Sequence, residues 1–158
     1  MNAKKGAKNH PALRWAKFSA EHFSRITDVE LAALKIHVVI EEILRCLLAA
    51  RLKVSEDSLV KLHLTFDMTS KLALMGIGDA HLIRGIKALN KARNALSHSV
   101  ESGDVQEQLT VFVREIGCMK KRKFDLPTSS SEQLDALHDA FNGAANAILD
   151  LIDAAEQK

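Results

Sequence analysis

Thr27-Asp28-Val29-Glu30 and the run that follows it, Ile36-His37-Val38-Val39-Ile40-Glu41-Glu42-Ile43-Leu44-Arg45-Cys46-Leu47-Leu48, decide the fold class of this chain. The first four residues read as a capping box: the Thr27 hydroxyl accepts from the Glu30 amide and the Glu30 carboxylate reaches back. The helix that opens there extends to about Leu52 and is apolar over most of its circumference, whereas a surface helix shows a single stripe. Such a belt must be covered on several sides, by a core and by a second subunit. Its polar exceptions, Glu41, Glu42 and Arg45, cluster within one turn, with Glu41 and Arg45 spaced for an i,i+4 ion pair.

The composition agrees with a helical protein. Of 158 residues, 47 % are apolar, led by Leu and Ala, and only 4 % are aromatic, with no Tyr. The length suits one domain with a real core. The expected architecture is mainly all-α: an up-and-down bundle of four to five helices spanning 27–157. A basic, partly flexible segment (1–26) precedes it, with Trp15, Phe18 and Phe23 as anchors of a short helix. No apolar run reaches the roughly 18 residues of a membrane span, so no membrane association is expected, and the start has no apolar core of a secretory signal. Two cysteines, Cys46 and Cys118, make no disulfide framework, which favours a reducing cytoplasm.

Formal net charge is only +2, but residues 1–27 hold six Lys/Arg against one Glu, and residues 132–158 one Lys against six Asp/Glu. Ser55 is expected to cap the next segment, on which His63, Asp67 and Lys71 form a polar face before Gly76-Ile77-Gly78 closes it. Asp79 starts another helix. Ser130 and Gln133 form a second capping box ahead of a last helix over 131–156, whose Ala140, Gly143, Ala144 and Ala147 permit close packing. Between them, Leu109–Ile116 and Lys120–Leu126 read as the strands of a small β-hairpin near 109–126, on the strength of the β-branched residues and Gly117. The same stretch also fits a helical period through Val105, Leu109, Phe112 and Ile116.

The chemistry concentrates in Leu89-Asn90-Lys91-Ala92-Arg93-Asn94-Ala95-Leu96-Ser97-His98. At 100° per residue from Arg84, Leu82, Ile86, Leu89 and Leu96 lie between about 120° and 200°, and Arg93 near 180° falls in that apolar stripe. A guanidinium there needs an anion or a wet interface. Arg84, Lys87, Lys91 and His98 make a basic face. Arg93 and His98 stand about 140° apart, so one straight helix does not aim both at one point: either it ends irregularly near Ser97, or two copies converge.

Arg93-Asn94-Ala95-Leu96-Ser97-His98 resembles the R-x4-H motif of HEPN domains, at the end of a third major helix as in that family, and the likeness extends over roughly 28–156. It implies a helical bundle that dimerises to bring two motifs into one cleft, and a metal-independent endoribonuclease. His98 would move the proton of a ribose 2′-hydroxyl or a leaving 5′-oxygen. Arg93 would stabilise the phosphorane-like transition state, and Asn94 would orient a phosphate or the histidine. The residue types suit the work: histidine titrates near neutrality and arginine offers a permanent planar fork. Arg84, Lys87, Lys91 and the run Lys120-Lys121-Arg122-Lys123 are candidate RNA contacts. Neither cofactor nor metal is expected; the histidines form no H-x3-H or H-E-x-x-H pattern.

The partners implied are a second copy, RNA, and an antitoxin or regulatory protein, in a toxin-like or defence role. The sequence departs from toxins of the family that carry a tyrosine two residues after the histidine; here that position is Val100, which removes control by tyrosine modification. The alternative is a non-catalytic regulatory or interaction module, like the mannitol operon repressor group.

Overall fold

The computed structural model describes residues 12, 15–17, 21, 25–98, 102–122 and 125–157. Within 29–156 these form α1 (Val29–Leu52), α2 (Glu56–Val60), α3 (Phe66–Ala73), α4 (Ala80–His98), α5 (Ser102–Met119) and α6 (Ser130–Glu156). Four long helices make a helical bundle, as expected, with two short ones between the first pair; the expected up-and-down order fails at the last connection, where α5 and α6 run parallel. Phe18, Phe23, Lys123 and most of 1–26 lie outside the described residues. Trp15 is helical and meets the Phe141 ring at 5.9 Å between centroids.

The helix starts follow capping chemistry, with some shifts. α1 is capped by Asp28, not Thr27: the Leu31 amide donates to Asp28 Oδ1 at 2.7 Å, placing a carboxylate on the positive end of the helix dipole. Ser55 caps α2 as expected. Thr65 then caps α3. The intervening turn puts His63 at φ 50, so it does not continue the polar face on which Asp67 and Lys71 pair at 2.6 Å. Asp79 Oδ1 accepts from the His81 and Leu82 amides, both at 3.0 Å. The second capping box is not formed. Ser129 occupies the cap of α6 without a side-chain bond, and Gln133 instead donates to the Pro127 carbonyl at 2.7 Å.

The hairpin expected at 109–126 is absent; 102–119 is one helix. Val105, Leu109, Phe112, Val113 and Ile116 are all buried. A 3.6 period that buries a whole face outweighs the local β-preference of Thr110, Val111 and Val113.

α4 and α5 form an antiparallel pair, pinned by His81 against Glu115 and by Gly85 against Ile116. The last connection is different. Val105 and Leu109 share a groove with Ser130 and Gln133, while Ile116 and Lys120 border Ala140 and Gly143, so α5 and α6 run parallel. The segment between them doubles back along α5, held by Arg114 to Asp125 at 3.3 Å and by Gln133 to Pro127. The core lies between α1, α4, α5 and α6, around the fully buried Ile36, Ile40, Leu44, Leu47, Leu89, Phe112 and Phe141. At about 25 cal/mol per Å² of apolar surface, such burial is the main stabilising term. No described helix is long and apolar enough to cross a membrane.

Candidate functional site

α4 carries the motif, and its buried residues are Leu82, Gly85, Ile86, Ala88, Leu89 and Ala92. These centre the packed face about 60° away from Arg93, because small residues take the closest contacts. Arg93 is therefore exposed at the margin of that face, which corrects its expected place within a buried stripe. The guanidinium turns along the surface and donates to Asn94 Oδ1 at 3.2 Å. Among the described residues Arg93 has no carboxylate partner. By contrast Arg45 pairs with Glu41 at 3.2 Å, Arg84 with Glu115 at 2.9 Å and Arg114 with Asp125.

Ser97 Oγ donates back to the Arg93 carbonyl at 3.1 Å and the helix continues through His98 without a break. His98 is exposed on the last turn. The two ends of the motif thus diverge around a regular helix, about 140° apart. Val100 lies outside the described residues.

A second feature was not singled out from the sequence. His37 of α1 is buried, stacks on the Phe66 ring at 4.1 Å between centroids, and places Nε2 3.3 Å from Asn90 Oδ1. Desolvation by burial pushes the imidazole below its ordinary range, overcoming the Asn90 hydrogen bond and the nearby Glu41 carboxylate, while Arg93 lowers it further. His37 is therefore neutral at pH 7, with its Nε2–H donating to Asn90. The signal was available in the sequence: one histidine in an otherwise apolar belt, and an asparagine in mid-helix.

Asn90 also lines a cleft of about 420 Å³ between α3 and α4, walled by Leu74, Met75, Ile77 and Ile83 and bordered by Lys71 and Lys87. Ile83, Lys87, Asn90, Asn94 and His98 fall within about 80° of one another on α4, so cleft and motif share a continuous face.

The other candidate RNA contacts are scattered. Lys91 is exposed close to that face. Arg84 is held by Glu115 at 2.9 Å, and His81 Nδ1 lies 2.7 Å from the same Glu115 carboxylate and 2.9 Å from Arg84 Nη2; the Arg84 bond keeps the Glu115 carboxyl below the usual carboxylate range. Lys120, Lys121 and Arg122 close the C-terminal end of α5. The Arg122 amide donates to Gly117 at 2.8 Å around Lys121 at φ 56, which places three cations at the negative end of the helix dipole. They sit at the opposite end of α5 from His98, about 25 Å along the helix axis. The densest basic run and the motif are therefore separate surfaces.

Among the described residues no group of three or more His, Cys, Asp or Glu side chains is arranged to hold a metal ion. The chain matches no family model, and neither curated proteins nor solved structures give a match.

Proposed function

We propose that this chain is a metal-independent endoribonuclease of the HEPN type, cleaving RNA by attack of a 2′-hydroxyl in a cleft between two copies. The observation that carries the reading is the state of Arg93. It is exposed, steadied by a neutral amide and, among the described residues, left without a carboxylate, which suits a residue that is to meet a phosphate. In that mechanism the 2′-oxygen attacks the adjacent phosphorus and the P–O5′ bond breaks. His98 moves the proton of the 2′-hydroxyl or of the departing 5′-oxygen, Arg93 and Asn94 receive the charge that builds on the phosphate oxygens, and the products are a 5′-hydroxyl and a 2′,3′-cyclic phosphate.

The divergence of Arg93 and His98 around a regular helix favours assembly of the site from two chains. An exposed apolar strip on α1 gives a surface for it: Leu31, Leu34 and Val38 stand at helical spacing and are 44 %, 37 % and 63 % exposed. Val38 adjoins His37, which feels the Arg93 charge, so the strip borders the motif. The same strip favours a second reading, a non-catalytic module whose apolar face receives a regulatory protein.

RNA incubated with the pure protein in EDTA separates the two. Cleavage by wild type, and none by a folded His98→Ala variant, supports the ribonuclease. Intact RNA across varied substrates leaves the interaction module. Sedimentation of Val38→Glu tests the dimer: the wild type is expected as a dimer and the variant as an inactive monomer.

A further inference from the structure

We propose that the cleft between α3 and α4 is a nucleotide subsite, which holds one nucleoside phosphate unit of the strand beside the Arg93–Asn94 pair; the identity of that strand as RNA rests on the reading above. The walls of the cleft are held by contacts within the chain. Arg51, at the end of α1, donates to the carbonyls of Ala73 and Met75, which fixes the far wall, and Gly76 turns the chain there at φ 77. A volume of about 420 Å³ lies in the size range of small-molecule sites.

Its lining asks for three properties in one ligand. Met75, Ile77 and Ile83 offer apolar walls to a flat body. Asn90 offers its amide N–H2, because its oxygen is taken by neutral His37, so the matching edge must present acceptors. Lys87 offers a cation with no ion pair among the described residues, while Lys71 is already matched by Asp67. An inorganic anion can accept from Asn90 and Lys87 but leaves the apolar walls bare, and a fatty acid has no flat face and gathers its acceptors and its charge in one carboxylate. A nucleotide uses all three: base faces on the apolar walls, a base acceptor on Asn90 and a phosphate on Lys87. Asn94 follows Asn90 by one helical turn, about 6 Å of rise, so adjoining units of one strand reach both.

The test is titration of the full chain with nucleoside 5′-monophosphates and with a 2′-O-methyl oligonucleotide, which lacks the attacking hydroxyl, followed by amide NMR. Saturable shifts at the Asn90 side-chain amide, Gly76 and Ile83 are expected, and inorganic phosphate should not reproduce them. Ile83→Trp, at a wall position 38 % exposed, fills the cleft, and Lys87→Glu reverses its charge. Each should weaken binding about tenfold or more. Shifts confined elsewhere, or wild-type binding by both cleft variants, overturn the subsite. If wild type cuts RNA and both variants bind and cut equally well, the subsite fails alone. If nucleotides saturate the cleft and no RNA is cut, the subsite stands and the ribonuclease reading falls.

Discussion

His37 on α1 and Asn90 on α4 are joined across the helix seam, Nε2 to Oδ1 at 3.3 Å, with the Phe66 ring stacked on the imidazole. The pair ties the apolar belt of α1 to the face of α4 that carries the motif. It also fixes which end of the Asn90 amide is left over.

This junction gives the fold a dependence on pH. The folded imidazole is depressed below its ordinary value of 6.5, chiefly by desolvation. The unfolded chain therefore binds the extra proton first, and stability rises with pH across the interval between the folded and unfolded values. The contribution is present above about 6.5 and is lost as pH falls through the folded value. Thermal melts between about pH 5 and 8 should show a falling midpoint on the acid side, and His37→Gln should flatten that limb while lowering stability at neutral pH. An unchanged slope in the variant would assign the dependence to other groups.

Glu115 gives a second, lower limb of the same sign. Its carboxyl is held down first by the bond from Arg84 and then by His81. Its stabilising effect is present above the ordinary carboxylate value and disappears as pH falls through the depressed one. The surrounding side chains are partly exposed (43 % for His81, 50 % for Arg84), so solvent screens the pair. Glu115→Gln is expected to cost about 1 kcal/mol or less at pH 7, with no change in the limb near neutrality. Urea melts at three pH values separate the two groups.

Arginine and lysine are not interchangeable at position 93 if the side chain clamps a phosphate. Arg93→Lys keeps the charge but loses the planar fork. A loss of about tenfold or more in the rate of RNA cleavage is expected, and more from Arg93→Ala, with stability within about 0.5 kcal/mol of wild type because the side chain is exposed. Equal rates for the wild type and the Arg93→Lys variant would reduce the residue to a point charge.

Much of the fold was legible because burial here follows the 3.6 period: Ile36 to Leu48, Leu82 to Leu89 and Leu137 to Ile152 all give buried faces. Two misreadings share a cause. Val111 and Val113 suggested a strand, and Arg93 was assigned to a buried stripe. In both cases the deciding partners are small residues on other turns, Gly85, Ala88, Ala92 and Gly143, which hydrophobicity undervalues and close helix packing selects. The parallel return of α6 is accompanied by Arg114–Asp125 and Gln133–Pro127, contacts that no periodicity encodes. In the candidate site, Arg93, Asn94 and His98 are visible from sequence spacing, whereas the His37–Asn90 tie joins positions 53 residues apart and emerges only from folding.

Ile116 is the residue on which that close packing can be tested, since it is clamped between two glycines. A Cβ at Gly85 would stand 2.8 Å from its Cδ1 and 3.2 Å from Cγ1, and one at Gly143 would stand 2.7 Å from its Cγ2. Alanine at either site gains about 1 kcal/mol of helix propensity, but overpacking of a full core costs about 1–3 kcal/mol, so both substitutions should be net destabilising or neutral at best. The atoms in contact predict an asymmetry. Ile116→Val removes Cδ1 and keeps two branches at Cβ, so it should relieve Gly85→Ala and leave Gly143→Ala still crowded. In double-mutant cycles the coupling with Gly85→Ala should be favourable by about 0.5 kcal/mol or more and that with Gly143→Ala near zero. Equal coupling at both sites would mean that α5 shifts as a body to admit the new methyl, and that the position of α4 is set elsewhere.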